Sequence, residues 1–232
     1  MKLLRNFLRT IKYKVKFLGK INNNSFYLSN FKTDNRLTDL MNLYGSDKGG
    51  LNNHHNYSLY YSEIFSSRKD IVKNFLEVGL GTNNTNIPSN MGPNGKPLAS
   101  LRAWKDYFQN AEIYGADIDR DILKNEERIR TYFVDQTSPI SISEMFKNFN
   151  VDKFDIIIED GLHEYKANIC FFENAIDHLS DDGIYIIEDV FYKDIKKFEK
   201  YFSSTKYNFS IIELFHHKNI ANNCIIKVTK NV

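Results

Sequence analysis

From Lys73 to the C-terminus, short apolar runs of β-favouring residues alternate with stretches of helical period. The runs Asn74–Val78, Glu112–Ala116, Arg130–Val134, Phe154–Ile158 and Gly183–Ile187 read as strands. Ser100–Phe108, Asp121–Glu127, Ile142–Asn148 and Tyr165–Leu179 read as the helices between them. Strands that stay apolar at successive positions are buried on both faces, which predicts a parallel sheet with helices on either side. The last two runs, Phe209–Phe215 and Cys224–Val228, flank a short His- and Asn-rich loop and predict an antiparallel pair at one edge. The expectation is a seven-stranded, mostly parallel α/β sheet.

The N-terminus follows a different pattern. Leu4, Phe7, Leu8, Ile11, Val15 and Leu18 recur at helical spacing among seven basic residues and no acidic one, an amphipathic helix in the making. Such a helix packs on its own domain or a second subunit, or lies on an anionic membrane surface. Both readings stay open for residues 1–20, as does a homo-oligomer. An Asn- and Ser-rich connector from Ile21 to about Asn35 reads as a linker, so the chain divides into an extension, 1–35, and a single domain, 36–232.

Charge changes the picture in one respect. The net charge of +2 comes from the N-terminus: without its seven basic residues, 24 basic side chains stand against 29 acidic ones. A mildly acidic body is not that of a nucleic-acid binder, which must neutralise many phosphates. Cys170 and Cys224 are the only cysteines, too few for a disulfide framework in 232 residues, and a reducing cytoplasm is the expected setting. Cys170, beside Phe171 and Phe172, is expected in the core. Charges interrupt residues 1–20 every few positions, so they form neither a secretory signal nor a membrane span.

Candidate chemistry collects at the strand ends. The first strand runs into Glu77-Val78-Gly79-Leu80-Gly81, where the glycines let the backbone pass close beneath a ligand at the first crossover. A dinucleotide fingerprint would place a third glycine at residue 84, which is Asn, so no seat for a pyrophosphate is evident. Glu77 would repel a phosphate but hold an amino-acid ammonium such as that of S-adenosylmethionine. Asp117 ends the second strand, where an acid commonly meets a ribose diol, with Asp119 as the fallback. Asp135 and Gln136 follow the third strand and offer an acceptor and a donor to an adenine edge.

The fourth strand ends in Glu159-Asp160-Gly161-Leu162-His163 and the fifth in Glu188-Asp189. If these strands are neighbours, about 4.8 Å apart, Asp160 lies beside Glu188 and Asp189. Carboxylates so close repel unless protonated or bridged by a cation, and hard oxygen donors suit Mg²⁺ or Mn²⁺. Gly161 would permit a sharp turn that brings His163 back over the site as a base. The competing reading is that Glu188 and Asp189 only cap a following helix.

Asp160-Gly161-x-His163 followed 28 residues later by Glu188-Asp189 resembles the metal-dependent sugar O-methyltransferases of the macrocin and mycinamicin type. The resemblance extends through Asp47-Lys48-Gly49, His54 to Tyr61, Ser100 to Trp104, Asp106 to Phe108, Ile113 to Gly115 and Asp135-Gln136. It implies a Rossmann-like class I methyltransferase fold, Asp160, Glu188 and Asp189 as ligands of Mg²⁺ or Mn²⁺, and His163 as catalytic base. With the strand-end reading, the cofactor set for S-adenosylmethionine becomes Glu77, Gly79, Gly81, Ser100, Asp117, Asp135 and Gln136. The implied reaction is methylation of a sugar or glycoconjugate hydroxyl, on a small-molecule or nucleotide-linked acceptor, as in polysaccharide biosynthesis. Catechol-type enzymes share the layout but have Lys in place of His163 and Asp-Asn in place of Glu188-Asp189. A hydroxylase-like relative and a catalytically silent partner remain alternatives. The loop from Thr82 to Pro97 departs from the family pattern, and His54, His55, Tyr57, Tyr60 and Tyr61 form either an acceptor lid or a core cluster. His216 and His217 are expected to be exposed.

Overall fold

The computed structural model describes residues 25–28, 35–50, 55–214 and 222–231. The expected basic helix of residues 1–20, and His54, His216 and His217, lie outside them. In chain order the elements are β1 (Ser25–Leu28), α1 (Arg36–Tyr44), α2 (Tyr57–Phe65), β2 (Asn74–Val78), α3 (Ala99–Tyr107), β3 (Glu112–Asp117), β4 (Ile129–Phe133) and α4 (Pro139–Phe149). There follow β5 (Phe154–Glu159), α5 (Tyr165–Ala175), β6 (Leu179–Ile187), α6 (Ile195–Phe202), β7 (Asn208–Leu214) and β8 (Cys224–Thr229).

The strands form one sheet in the order β1-β7-β8-β6-β5-β2-β3-β4. All pairings are parallel except those of β8, which runs antiparallel to β6 and β7. The seven expected strands are therefore present with the expected edge pair, and β1 adds an eighth by pairing in parallel with β7. That strand lies within the stretch read as linker; its partner is the otherwise open edge of β7, a tertiary circumstance that local composition does not encode.

The chain winds from β2 outward to β4, then returns to place β5 on the other side of β2. This reversal is the switch point at which open α/β sheets bind ligands, beyond the carboxyl ends of the strands. Because the sheet is buried on both faces, neighbouring strand residues serve different cores. Ile156, Ile158, Ile184 and Ile186 pack toward α1, α2 and α3, while Ile157, Tyr185 and Ile187 pack toward α4, α5 and α6.

Helices α3, α4 and α5 stand close to where the apolar period places them. Asp121–Glu127 does not form a helix: a 3-10 turn at Arg120–Ile122 leads to a bridge between Glu126 and Ile129. The Asp119 side chain accepts from the Asp121 amide, and Arg102 takes both oxygens of Glu126, at 3.1 and 2.7 Å, so side chains fix this short segment against the helical alternative. Helices α1, α2 and α6 have no counterpart in the sequence reading. α1 is defined by its ends: Asn35 accepts from the Thr38 amide at 2.9 Å, and Gly45 at φ +84° closes the helix in the left-handed region. Both cysteines are free; Cys224 is buried, whereas Cys170 is only half-buried at the rim of the second core.

Candidate active site

At the carboxyl ends of β2, β3 and β5 lies a cavity of about 480 Å³, within the range of small-molecule sites. Its wall includes Glu77, Gly79, Gly81, Ser100, Asp117, Asp135, Gln136, Asp160, His163 and Asp189, so all ten of the residues expected in cofactor, base or metal duty, Glu188 apart, converge there. The loop from Thr82 to Pro97 lies against the opening, where the Ser89 hydroxyl donates to the Leu162 carbonyl at 3.1 Å.

The two glycines are required by the chain itself. Gly79 has φ +91°, and a Cβ there would stand 1.9 Å from the Asp160 carbonyl oxygen; at Gly81, φ +77°, it would stand 2.2 Å from Met91 Sδ. Gly79→Ala is expected to cost roughly 2–5 kcal/mol, the sum of left-handed strain and overpacking against backbone. Urea unfolding checks this, and a loss below about 1 kcal/mol would mean that β2 and β5 can separate at little cost.

Gln136 and Asp135 are occupied within the chain. The Gln136 amide nitrogen donates to Glu159 at 2.8 Å and its oxygen accepts from the Leu162 amide at 2.5 Å, while Asp135 accepts from both the amide and hydroxyl of Thr137. Gln136 thus pins the turn after β5, and Gly161 is glycine because a Cβ would stand 1.9 Å from the Gln136 amide oxygen. The residue that takes the left-handed turn is His163 itself, at φ +59°. Asp189 shares that conformation at φ +54°, and such non-glycine strain concentrates at functional sites. Asp117 accepts from the Leu80 and Asp119 amides at 2.6 and 2.8 Å, and so shapes the glycine loop as well as lining the cavity. Its neighbour Ile118, 45% exposed, supplies an apolar wall that the sequence reading missed.

The acids at the ends of β5 and β6 meet as expected, but not alone. Lys48, fully buried, places its Nζ 2.5 Å from Asp160, 2.6 Å from Glu188 and 3.4 Å from Glu77. Glu188 also accepts from the Tyr61 hydroxyl at 2.5 Å, and Asp189 from the Tyr57 hydroxyl at 2.6 Å with His55 Nε2 at 3.2 Å. Of the segment expected as lid or core cluster, the described residues His55, Tyr57, Tyr60 and Tyr61 are buried, and the Tyr57 and Tyr61 hydroxyls donate to the carboxylates. Lys48 was visible only as part of Asp47-Lys48-Gly49; a single lysine in a polar loop has no periodicity to mark it.

Electrostatics follow from this packing. Burial would drive the Lys48 ammonium toward neutrality, but Asp160, Glu188 and Glu77 outweigh it and hold the proton firmly. Burial raises Asp160 as well, and Lys48 and His163 overcome it, keeping that carboxyl well below the usual range. Glu77, with the Trp104 indole donating to it at 2.8 Å, is pushed up to about 6 by burial against the pull of Lys48. His163 Nε2 lies 3.1 Å from Asp160 and Nδ1 3.6 Å from Asp189. Burial lowers its pKa, yet the hydrogen bond to Asp160 and the two charges raise it to about 9.

Asp160, His163 and Asp189 each offer a donor atom within 4.8 Å of the others. Two carboxylates and an imidazole so close and so little exposed fit a divalent cation. The cavity and its acid-lined strand ends fit a nucleoside carrying an amino-acid tail.

Sheet order, edge pair and cavity define the Rossmann-like class I methyltransferase fold. No protein-family profile matches the chain. Over 147 residues it is 31% identical to the 8-demethyl-8-alpha-L-rhamnosyl tetracenomycin-C 2'-O-methyltransferase of Streptomyces olivaceus, covering 63% of this chain and 35% of the relative. It is 30% identical over 154 residues to the demethylmacrocin O-methyltransferase of Streptomyces fradiae, covering 66% and 36%. Among solved structures it superposes on the MycE methyltransferase of the mycinamycin biosynthetic pathway, in complex with Mg and SAH, at a TM-score of 0.56 and 28% identity, covering 67% of this chain and 37% of the other. These relatives are thus named O-methyltransferases, and the chain spans about a third of their length.

Proposed function

We propose that the chain transfers a methyl group from S-adenosylmethionine to a hydroxyl of a sugar or glycoconjugate, assisted by a divalent cation. The observation that carries this reading is the junction of two half-sites in one cavity. Glu77, Ser100 and Asp117 line it together with Asp160, His163 and Asp189. The named activities of the relatives and the Mg and SAH of the solved neighbour support it.

Glu77, whose carboxyl burial raises and Lys48 and the Ser100 hydroxyl partly lower, faces the amino-acid tail of the methyl donor. Asp117 takes the ribose, and Ile118 covers the apolar face of the base. Asp160 and Asp189 hold the cation, and Glu188 lies beside them. The cation supplies charge that lowers the pKa of the acceptor hydroxyl. His163 then accepts that proton as the acceptor oxygen attacks the methyl carbon in line and the carbon–sulfur bond breaks, releasing S-adenosylhomocysteine. Among the described residues no helix is long and apolar enough to cross a membrane.

Calorimetry separates this from the other uses of the fold. Titration with S-adenosylmethionine or S-adenosylhomocysteine is expected to give saturable heat, weakened in Asp117→Asn, while NAD gives none. Saturable NAD binding with no response to either methyl-cycle ligand would sink the proposal.

A further inference from the structure

Three acids at the carboxyl ends of β2, β5 and β6 share one ammonium. Lys48 Nζ has three protons, and three carboxylates lie within 3.4 Å of it: Asp160, Glu188 and Glu77. One of these, Asp160, would with Asp189 hold a divalent cation at the ends of β5 and β6, and Glu188 lies beside them. Lys48 reaches them from the 3-10 turn Asp47–Gly49. Its seat is built: the Ser46 side chain caps that turn by accepting from the Lys48 amide, and Gly50 closes it at φ +81°. The lysine is 2% exposed, and a buried lysine is kept only where opposite charges hold it.

We propose that Lys48 is a positioning residue that stands in for the cation. Its ammonium neutralises Asp160 and Glu188 while no cation is bound, keeps the two strand ends together, and competes with the cation for the Asp160 carboxylate. The inference rests on the reading of a divalent cation at this site. It differs from a structural salt bridge in its sign: a lysine that merely organises the ligands should, when removed, weaken cation binding, whereas a competitor should strengthen it.

The test is Mn²⁺ binding to the full chain, followed by calorimetry, with thermal unfolding recorded in chelator and in saturating Mn²⁺. Lys48→Met is expected to bind Mn²⁺ on the order of tenfold or more tightly than wild type, and to gain a larger thermal shift from it. A Lys48→Met chain that folds only with Mn²⁺ supports the proposal equally. Unchanged or weaker affinity overturns it. Where Lys48→Met fails to fold in both conditions, the double variant Lys48→Met with Glu188→Gln decides, since it removes the ammonium together with one charge it balances: a folded double variant supports the counter-charge role, and an unfolded one overturns it. Wild type that takes no Mn²⁺ overturns the cation reading itself and this inference with it, whereas one cation bound equally by wild type and Lys48→Met overturns only the inference.

Discussion

Replacing His163 with alanine is expected to lower turnover by roughly 10²- to 10⁴-fold, the scale of a positioned general base, while leaving the affinities for divalent cation and methyl donor within a few-fold of wild type. The prediction is sharpened by geometry. Both ring nitrogens face carboxylates, at 3.1 and 3.6 Å, and these hold the imidazole's proton up to about pH 9 against the opposing effect of burial. A base must be neutral, so the rate should rise with pH as His163 loses that proton. A cation that engages Asp160 and Asp189 withdraws the charge that raises His163, and the limb should then fall between the ordinary imidazole value of about 6.5 and the raised one. Steady-state kinetics from pH 6 to 10 with saturating Mg²⁺ will locate the limb, and its disappearance in His163→Ala assigns it. A large loss of cation affinity in that variant would instead make His163 a ligand, since its nitrogens stand within donor distance of the same site. Near-normal turnover in a folded His163→Ala chain would pass the proton to water or another residue.

Removal of divalent cation should abolish activity, and Mg²⁺ or Mn²⁺ should restore it. Asp160→Asn and Asp189→Asn should each move the activation curve to higher cation concentration by about tenfold or more. The two variants need not behave alike. Asp160 is held ionised by Lys48 and His163, so Asp160→Asn also deprives Lys48 of a partner and should lower the melting temperature. Asp189 accepts from Tyr57 and faces His55, and its amide substitute keeps an oxygen for that hydroxyl, so Asp189→Asn should be the milder in stability. Activation curves together with thermal melts separate loss of the cation from loss of the fold. Full activity in excess chelator, with no metal found by elemental analysis, would refute cation assistance.

What was legible in the sequence, and what was not, follows from the range of the forces involved. Apolar runs set the strands from β2 to β8, because burial of a strand on both faces is a local demand on composition. The strand-end acids Asp117, Asp160, Glu188 and Asp189 were legible for a related reason: a polar residue that directly follows an apolar run has left the core at a known point, and a parallel sheet brings all such points to one edge. The helices α1, α2 and α6 were not, nor was β1, whose only cause is the open edge of β7. The assignments that changed in meaning are those where a side chain's partner lies far away in the chain. Gly161, a turn residue by its local sequence, is a clearance for Gln136, 25 residues earlier. Tyr57 and Tyr61, lid or core residues by local sequence alone, donate to Asp189 and Glu188, more than 120 residues away. Lys48 stands 112 residues from Asp160 and 140 from Glu188. The sequence by itself determined the sheet, its carboxyl edge and the acids along it, because hydrophobic burial and strand period act between neighbours. Only the tertiary structure decided which cation those acids already hold, because charge pairing in a buried site depends on distance in space and leaves no period along the chain.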